Sequence, residues 1–396
     1  MQSVKITNIK PKVLIWARES IGLNRDQVNE VLNKGTKTKF NIEDAEKEKD
    51  FLTFAQLKTL SKLYKRHLAF FFLQKPHKDA PLPKDFRTFC SVKIISPLSK
   101  KTLLFIRKAR YIQDVASDLF QELNLKFELK LPKANLSEDP FILADQIRKI
   151  IDFDIQKQQK IKDSSSFFTY LRGEIEKFGI IIIKSSYENS FPAEEARGFC
   201  LVDKKPYLIA VNNSDTDNAK IFTLMHEFCH ILLRISGICL DMESQESKNE
   251  NEIAKVETFC NHFAASFLVP FEELKNDISS LNLEDTNFDQ NIFELAKKYK
   301  VSTFVILGRL VLNNIISQNF YKTKIKEWSE NLSNKIEKSG GRRYPGKAEL
   351  QMNGNLYSKA VFESFNNDKI SYNDISDYLS IKIKNIPLLE VELYQK

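Results

Sequence analysis

The chain has 396 residues, 42% hydrophobic and 28% charged, with a net charge of +8. That length predicts two or three domains, and the composition excludes a disordered chain. The longest apolar runs, HLAFFFL and FGIIII, are too short to cross a bilayer, and the N-terminal MQSVKITNIK lacks the apolar core of a signal peptide. Five cysteines (Cys90, Cys200, Cys229, Cys239, Cys260) without CxxC spacing argue against a disulfide scaffold. These features together predict a cytoplasmic protein with no membrane partner.

Residues 1–80 hold 16 Lys/Arg against 9 Asp/Glu, while the rest is nearly balanced at 44 against 43. A basic front end suits an anionic partner, double-stranded DNA being the usual one, although a general lysine bias gives the same numbers. Pro11 suits a first helical position, Val13, Leu14, Ala17 and Ile21 recur with helical spacing, and Gly22 ends the run. Asn24 with Gln27 reads as a capping box opening RDQVNEVL, and Thr53 with Gln56 as another opening FAQLKTLSKLYKR. Between them the basic connector NKGTKTK leads to FNIEDAEK. Short helices with a tight turn between the second and third predict a helix-turn-helix bundle over residues 1–75. Lys34, Lys37 and Lys39 are its candidate DNA contacts, whereas Glu43, Asp44, Glu46 and Glu48 oppose phosphate.

Residues 76–165 read as a Pro-punctuated linker followed by a helical connector, LLFIRKARYIQDVASDLFQEL and PFILADQIRKII. From 166 the pattern becomes mixed. A helix precedes GIIIIKS, GFCLVD and PYLIAVNN, three short strands by their β-branched and aromatic content. FTLMHEFCHILL, a helix containing Glu257, and the pair capped at Ser302 follow, up to residue 316. Residues 317–396 read as a helical extension with the turn GGRRYPGK and two last short helices. The fold class is α+β, mostly helical.

His226 and His230 lie four apart, so on a helix their imidazoles project from one face and can share a cation. Glu227 projects to the flank, within reach of a metal-bound water without ligating the metal. The helix is apolar all round, so two histidines and a glutamate buried in it without a partner would be costly. Zn2+ is the cation by ligand type, and it needs a third protein ligand. Asp241, Glu243, Glu246, Glu250 and Glu252 fall in or beside a polar loop. Glu257 lies within a helix, sharing a face with Asn261, Ala264 and Leu268, and Ala264 and Ala265 permit close packing on the histidine helix. Cys229 and Cys260 read as small buried hydrophobes, and His262 as a surface histidine off the Glu257 face. The chemistry these roles predict is amide hydrolysis, with zinc polarising the carbonyl and Glu227 as general base and then acid. PYLIAVNN is expected to run beside the cleft and pair with an extended substrate.

With these residues placed, the chain resembles the ImmA/IrrE family of metallopeptidases, in the form fused behind an XRE-type helix-turn-helix. RGFCLVDKKPYLIAVNN followed by FTLMHEFCHILL is similar to the family's central signature. VETFCNHFAASFLVP is similar to its E-x-x-A-N-x-F-A-A…P motif, with Cys260 where the family usually has Ala. YKVSTFVILGRL is similar to its V-S…R-L helix pair. Most of the chain is covered, 166–310 by specific motifs and the front end by looser ones. The resemblance implies a zincin-like peptidase domain over 166–316, with His226, His230 and Glu257 as metal ligands and Glu227 as the catalytic base. It also implies a helix-turn-helix transcriptional repressor as protein substrate. A competing expectation is a DNA-binding regulator or antitoxin-like protein whose zinc site is structural. The intact Glu227 favours the enzyme.

Overall fold

The computed structural model describes residues 5–36, 39–64, 66, 68–77, 99–186, 191–192, 195–235, 250–279, 287–332 and 344–394. Lys37, Cys90, Cys239, the loop acids Asp241, Glu243 and Glu246, most of the Pro-punctuated stretch and the start of GGRRYPGK lie outside them. The protein is mostly helical with two small sheets.

The first unit comprises β1 (Lys5–Ile6), α1 (Pro11–Glu19), α2 (Arg25–Leu32), α3 (Ile42–Glu46), β2 (Leu52–Thr53), α4 (Phe54–Tyr64) and a 3-10 turn at Leu68–Phe72. Pro11 opens α1, and Gly22, at φ +64°, takes the left-handed turn that follows it. Both capping boxes read from the sequence form. Gln27 N donates to Asn24 Oδ1 at 2.9 Å and Asn24 N to Gln27 Oε1 at 3.1 Å, while Thr53 N donates to Gln56 Oε1 at 2.8 Å. β1 and β2 pair antiparallel and close the unit.

The expected tight turn between the second and third helices is not there. α2 ends at Leu32 and α3 begins at Ile42, and the connector between is held by asparagines. Asn33 bonds both the N–H and the carbonyl of Phe40, at 2.7 and 2.9 Å, and Asn29 Oδ1 accepts from Ile42 N at 2.8 Å. These polar side chains satisfy backbone that a three-residue turn would satisfy by itself. α3 is a single turn, pinned because buried Glu46 accepts from Arg18 Nε at 2.6 Å and Arg25 Nε at 2.8 Å.

The body follows as α5 (Lys100–Glu122), α6 (Pro140–Ile150), α7 (Ile155–Lys160), α8 (Ser164–Glu176), β3 (Ile181–Lys184), β4 (Gly198–Leu201) and β5 (Leu208–Val211). Then come α9 (Asp217–Leu233), α10 (Glu250–Leu268), α11 (Phe271–Ser279), α12 (Phe288–Tyr299), α13 (Thr303–Leu312) and α14 (Gln318–Leu332). The strand order is β3-β5-β4, with β3 parallel and β4 antiparallel to β5. All three strands are apolar on both sides, and period-two alternation divides them between two cores. Ile182, Cys200, Ile209 and Val211 join α8, α9 and α10. Ile181, Ile183, Phe199, Leu201, Leu208 and Ala210 join α5 and the C-terminal helices. The sheet is therefore the middle of three layers.

Among the described residues, 317–396 hold five helices rather than two, α14 and then α15 (Lys347–Asn353), α16 (Asn355–Asn366), α17 (Tyr372–Tyr378) and α18 (Ile386–Tyr394). Short segments broken at Gly354 and capped at Ser371 give weak periodicity, which hid them. The segment docks through the buried pair Arg172–Glu176, separated by 3.3 Å. Arg172 Nη1 donates to Gln351 O at 2.6 Å and Nη2 to Ile182 O, and Glu176 Oε2 accepts from Leu356 N at 3.2 Å. Gly354, at φ +82°, passes so close that a Cβ would sit 2.5 Å from both charged side chains. Among the described residues no helix is long and apolar enough to cross a membrane.

Arg172→Ala leaves the Glu176 carboxylate buried without its counter-charge. The expected cost is about 3–5 kcal/mol, read as a lowered urea midpoint. A change below about 1 kcal/mol would contradict this account of the docking.

Candidate metal centre

α9 is enclosed on every side. Residues Leu224–Leu232 are all buried, between α8 and α10 on its flanks and β4 and β5 above. Its ends are fixed from outside. Thr216 Oγ1 accepts from Ala219 N at 3.3 Å, and Arg234, left-handed at φ 56°, returns Nη1 to Ile231 O and Nη2 to Pro132 O. A helix pinned at both ends and packed all round has little freedom to rotate, so its imidazoles point where the packing aims them.

They point at one another. His226 Nε2 and His230 Nε2 are 3.0 Å apart, and both residues are 1% exposed. Glu257, on the facing α10, brings Oε1 to 3.3 Å from His230 Nε2 and Oε2 to 3.8 Å from His226 Nε2. Donors at about 2.0–2.1 Å from a tetrahedral zinc lie about 3.3 Å from each other. The three separations bracket that value, so the residues fit a single small divalent cation. Glu257 keeps 22% of its side chain exposed, so the site opens on its side. All three residues expected as ligands are brought together.

Electrostatics agree. Burial pulls His230 down, but Cys260, Glu257 and Glu227 beside it outweigh burial, and the imidazole holds its proton well above the ordinary range. Surroundings that hold a proton there also favour a metal ion.

Glu227 is 6% exposed and stands on the flank of α9 beneath β4. Gly198 of β4 comes so close that a Cβ would meet Thr223 Cγ2 at 2.5 Å, Ala210 O at 2.9 Å and Glu227 Cγ at 3.6 Å. Here the strand expectation needs correction. β5, the LIAV half of PYLIAVNN, is paired on both edges and cannot accept a substrate strand. β3 and β4 are the outer strands among the described residues, and β4 is the one beside Glu227. Sequence reading missed it because alternation shows which residues are buried but not the order of strands.

Cys260, read from the sequence as a small buried hydrophobe, lies beside the imidazoles. Its sulfur and one ring nitrogen each of His226 and His230 lie within 4.8 Å of one another. The signal was present, since 257 and 260 are one turn apart on α10 and share a face. Glu257 and Cys260 thus both place a donor beside the imidazole pair. His262 turns the other way, its ring stacked on Phe141 of α6 at 5.9 Å, and burial with nearby Arg309 lowers its pKa. At the front end, Lys34 and Lys39 are exposed in the 33–41 connector.

Residues 175–311 match the family model Peptidase_M78, described as the IrrE N-terminal-like domain. This part of the chain is thus similar to a metallopeptidase-like family, and the matched segment contains every residue of the candidate centre. No curated protein and no solved structure matches the chain.

Zinc added to chelator-treated protein is expected to raise the calorimetric melting temperature. The gain is about 2.7 kcal/mol at a hundredfold excess over Kd, and His226→Ala or Glu257→Gln removes most of it. Since His230 binds its proton unusually tightly, retained metal falls as pH drops, beginning above the ordinary imidazole range near ~6.5. Stability indifferent to zinc would refute the site. Gly198→Ala is expected to cost about 1–3 kcal/mol, and less in a Thr223→Ala background, where one of the two closest contacts is gone. Equal costs in both backgrounds would show that the Thr223 contact does not matter.

Proposed function

We propose that this protein is a zinc-dependent endopeptidase that cleaves a regulatory protein. The observation that carries this reading is the convergence of His226, His230 and Glu257 at tetrahedral donor spacing, with Glu227 near enough to act on His230. A zinc ion in this site supplies Lewis acidity toward a carbonyl oxygen and toward water. Glu227 is the proton carrier. Its carboxylate takes a proton from the attacking water and returns it to the leaving amine, and its flank position leaves it outside the ligand set. Burial of both histidines keeps bulk water from the inner side of the site, so a substrate enters past Glu257. A peptide segment lying along β4 would have its backbone next to Glu227.

The resemblance noted in the sequence supports a helix-turn-helix repressor as the substrate. The first unit is proposed to contact that repressor. α3, where a DNA reader would present its recognition residues, carries Glu43 and Asp44 and is anchored through buried Glu46. A DNA-contact reading draws support only from the exposed Lys34 and Lys39 and the basic surplus, and it predicts binding that weakens steeply with salt.

Glu227→Gln is expected to retain zinc but to slow cleavage of the co-encoded repressor by about 10²–10⁴-fold. Metal content and cleavage are measured on the same preparation. Undiminished cleavage by this variant would overturn the mechanism.

A further inference from the structure

Beyond the three donors described, we propose that Cys260 is a fourth protein donor to the cation, so that the chain can close the coordination shell with its own side chains. Glu257 and Cys260 are one turn apart on α10 and both face the imidazole pair of α9. The Cys260 sulfur lies with ring nitrogens of His226 and His230 inside a 4.8 Å group, and the side chain is wholly buried. A zinc bound at about 2.3 Å by sulfur and about 2.0 Å by nitrogen separates those donors by about 3.6 Å. The remaining gap is smaller than the roughly 3 Å swing of a sulfur between rotamers about its Cα–Cβ bond. Cys229, also wholly buried, is the other thiol beside it.

The chemistry is a ligand exchange. The bond from the cation to its solvent ligand and the Cys260 S–H bond break, a sulfur–metal bond forms, and the water and the proton leave to bulk solvent through the open Glu257 side. No oxidant is needed. Two consequences follow. A thiolate donor is soft, which biases the site toward zinc over manganese or magnesium. A shell filled by two imidazoles, one carboxylate and one thiolate also leaves no corner for solvent. Glu227 then has no water to deprotonate, and the resting protein is latent until the thiolate leaves. The latency rests on the peptidase reading; the sulfur–metal bond does not.

The test uses the full chain, stripped of metal and loaded with one equivalent of Co(II). Wild type and Cys229→Ala are expected to show the intense near-ultraviolet thiolate-to-cobalt charge-transfer band. Cys260→Ala and Cys260→Ser are expected to bind cobalt without it, and to lose zinc to a competing chelator about tenfold more readily. On zinc loading, Cys260→Ala is expected to cleave faster than wild type, and an equal rate removes the latency while leaving the sulfur–metal bond to the cobalt band. A cobalt-loaded wild type without the band, or a band unchanged in Cys260→Ala, overturns the proposal. If that wild type still cleaves its substrate, only the Cys260 assignment falls. If no form of the protein binds cobalt, the metallopeptidase reading falls with it.

Discussion

Three electron-rich atoms meeting in a buried space form the constraint on which the rest depends. His226 Nε2 and His230 Nε2 lie 3.0 Å apart, with Glu257 Oε1 3.3 Å from His230 and Oε2 3.8 Å from His226, and so many lone pairs in so small a space need a shared proton or a cation among them. A proton on His230 relieves part of the conflict, and a divalent ion relieves it more fully. The fold holds these atoms together by packing α10 on α9, with Ala264 and Ala265 buried in the same core. Stability and chemistry therefore share the same atoms.

The sheet matters because it sets the angle of α9. Its strands are apolar on both faces, so they must be covered twice, once by the helices of the metal centre and once by α5 and the C-terminal helices. That requirement ties the far end of the chain to the site. The Arg172–Glu176 pair on α8 receives the backbone of residues 351 and 356, and α8 packs directly on α9. Segments that looked peripheral in the sequence thereby hold the layer on which Glu227 and Gly198 meet.

The first unit has its own core and its own buried charges. Glu46 satisfies Arg18 and Arg25 together, so one carboxylate fixes α1, α2 and the short α3. Such a network favours one arrangement of the helices over others more than it adds stability. Glu46 is the acid spent inside the unit, whereas Glu19, Asp26, Glu30 and Glu48 are exposed, as are Lys34 and Lys39 on the connector.

What the sequence determined by itself is whatever depends on neighbours along the chain. Both capping boxes, the turn at Gly22, the three strands and the shared face of His226 and His230 follow from spacings of three, four and two residues, set by local backbone geometry. Glu257 was legible as a candidate because it sits mid-helix, though its distance from His230 was not. Tertiary structure alone decided which helix faces which and in what order the strands lie. It placed Glu257 and Cys260 across from the imidazoles, put β4 rather than β5 at an outer position, and stretched the second turn of the N-terminal unit into an asparagine-bonded connector. Those outcomes depend on packing between segments far apart in sequence, and periodicity, which reports only that a face is buried, does not say against what.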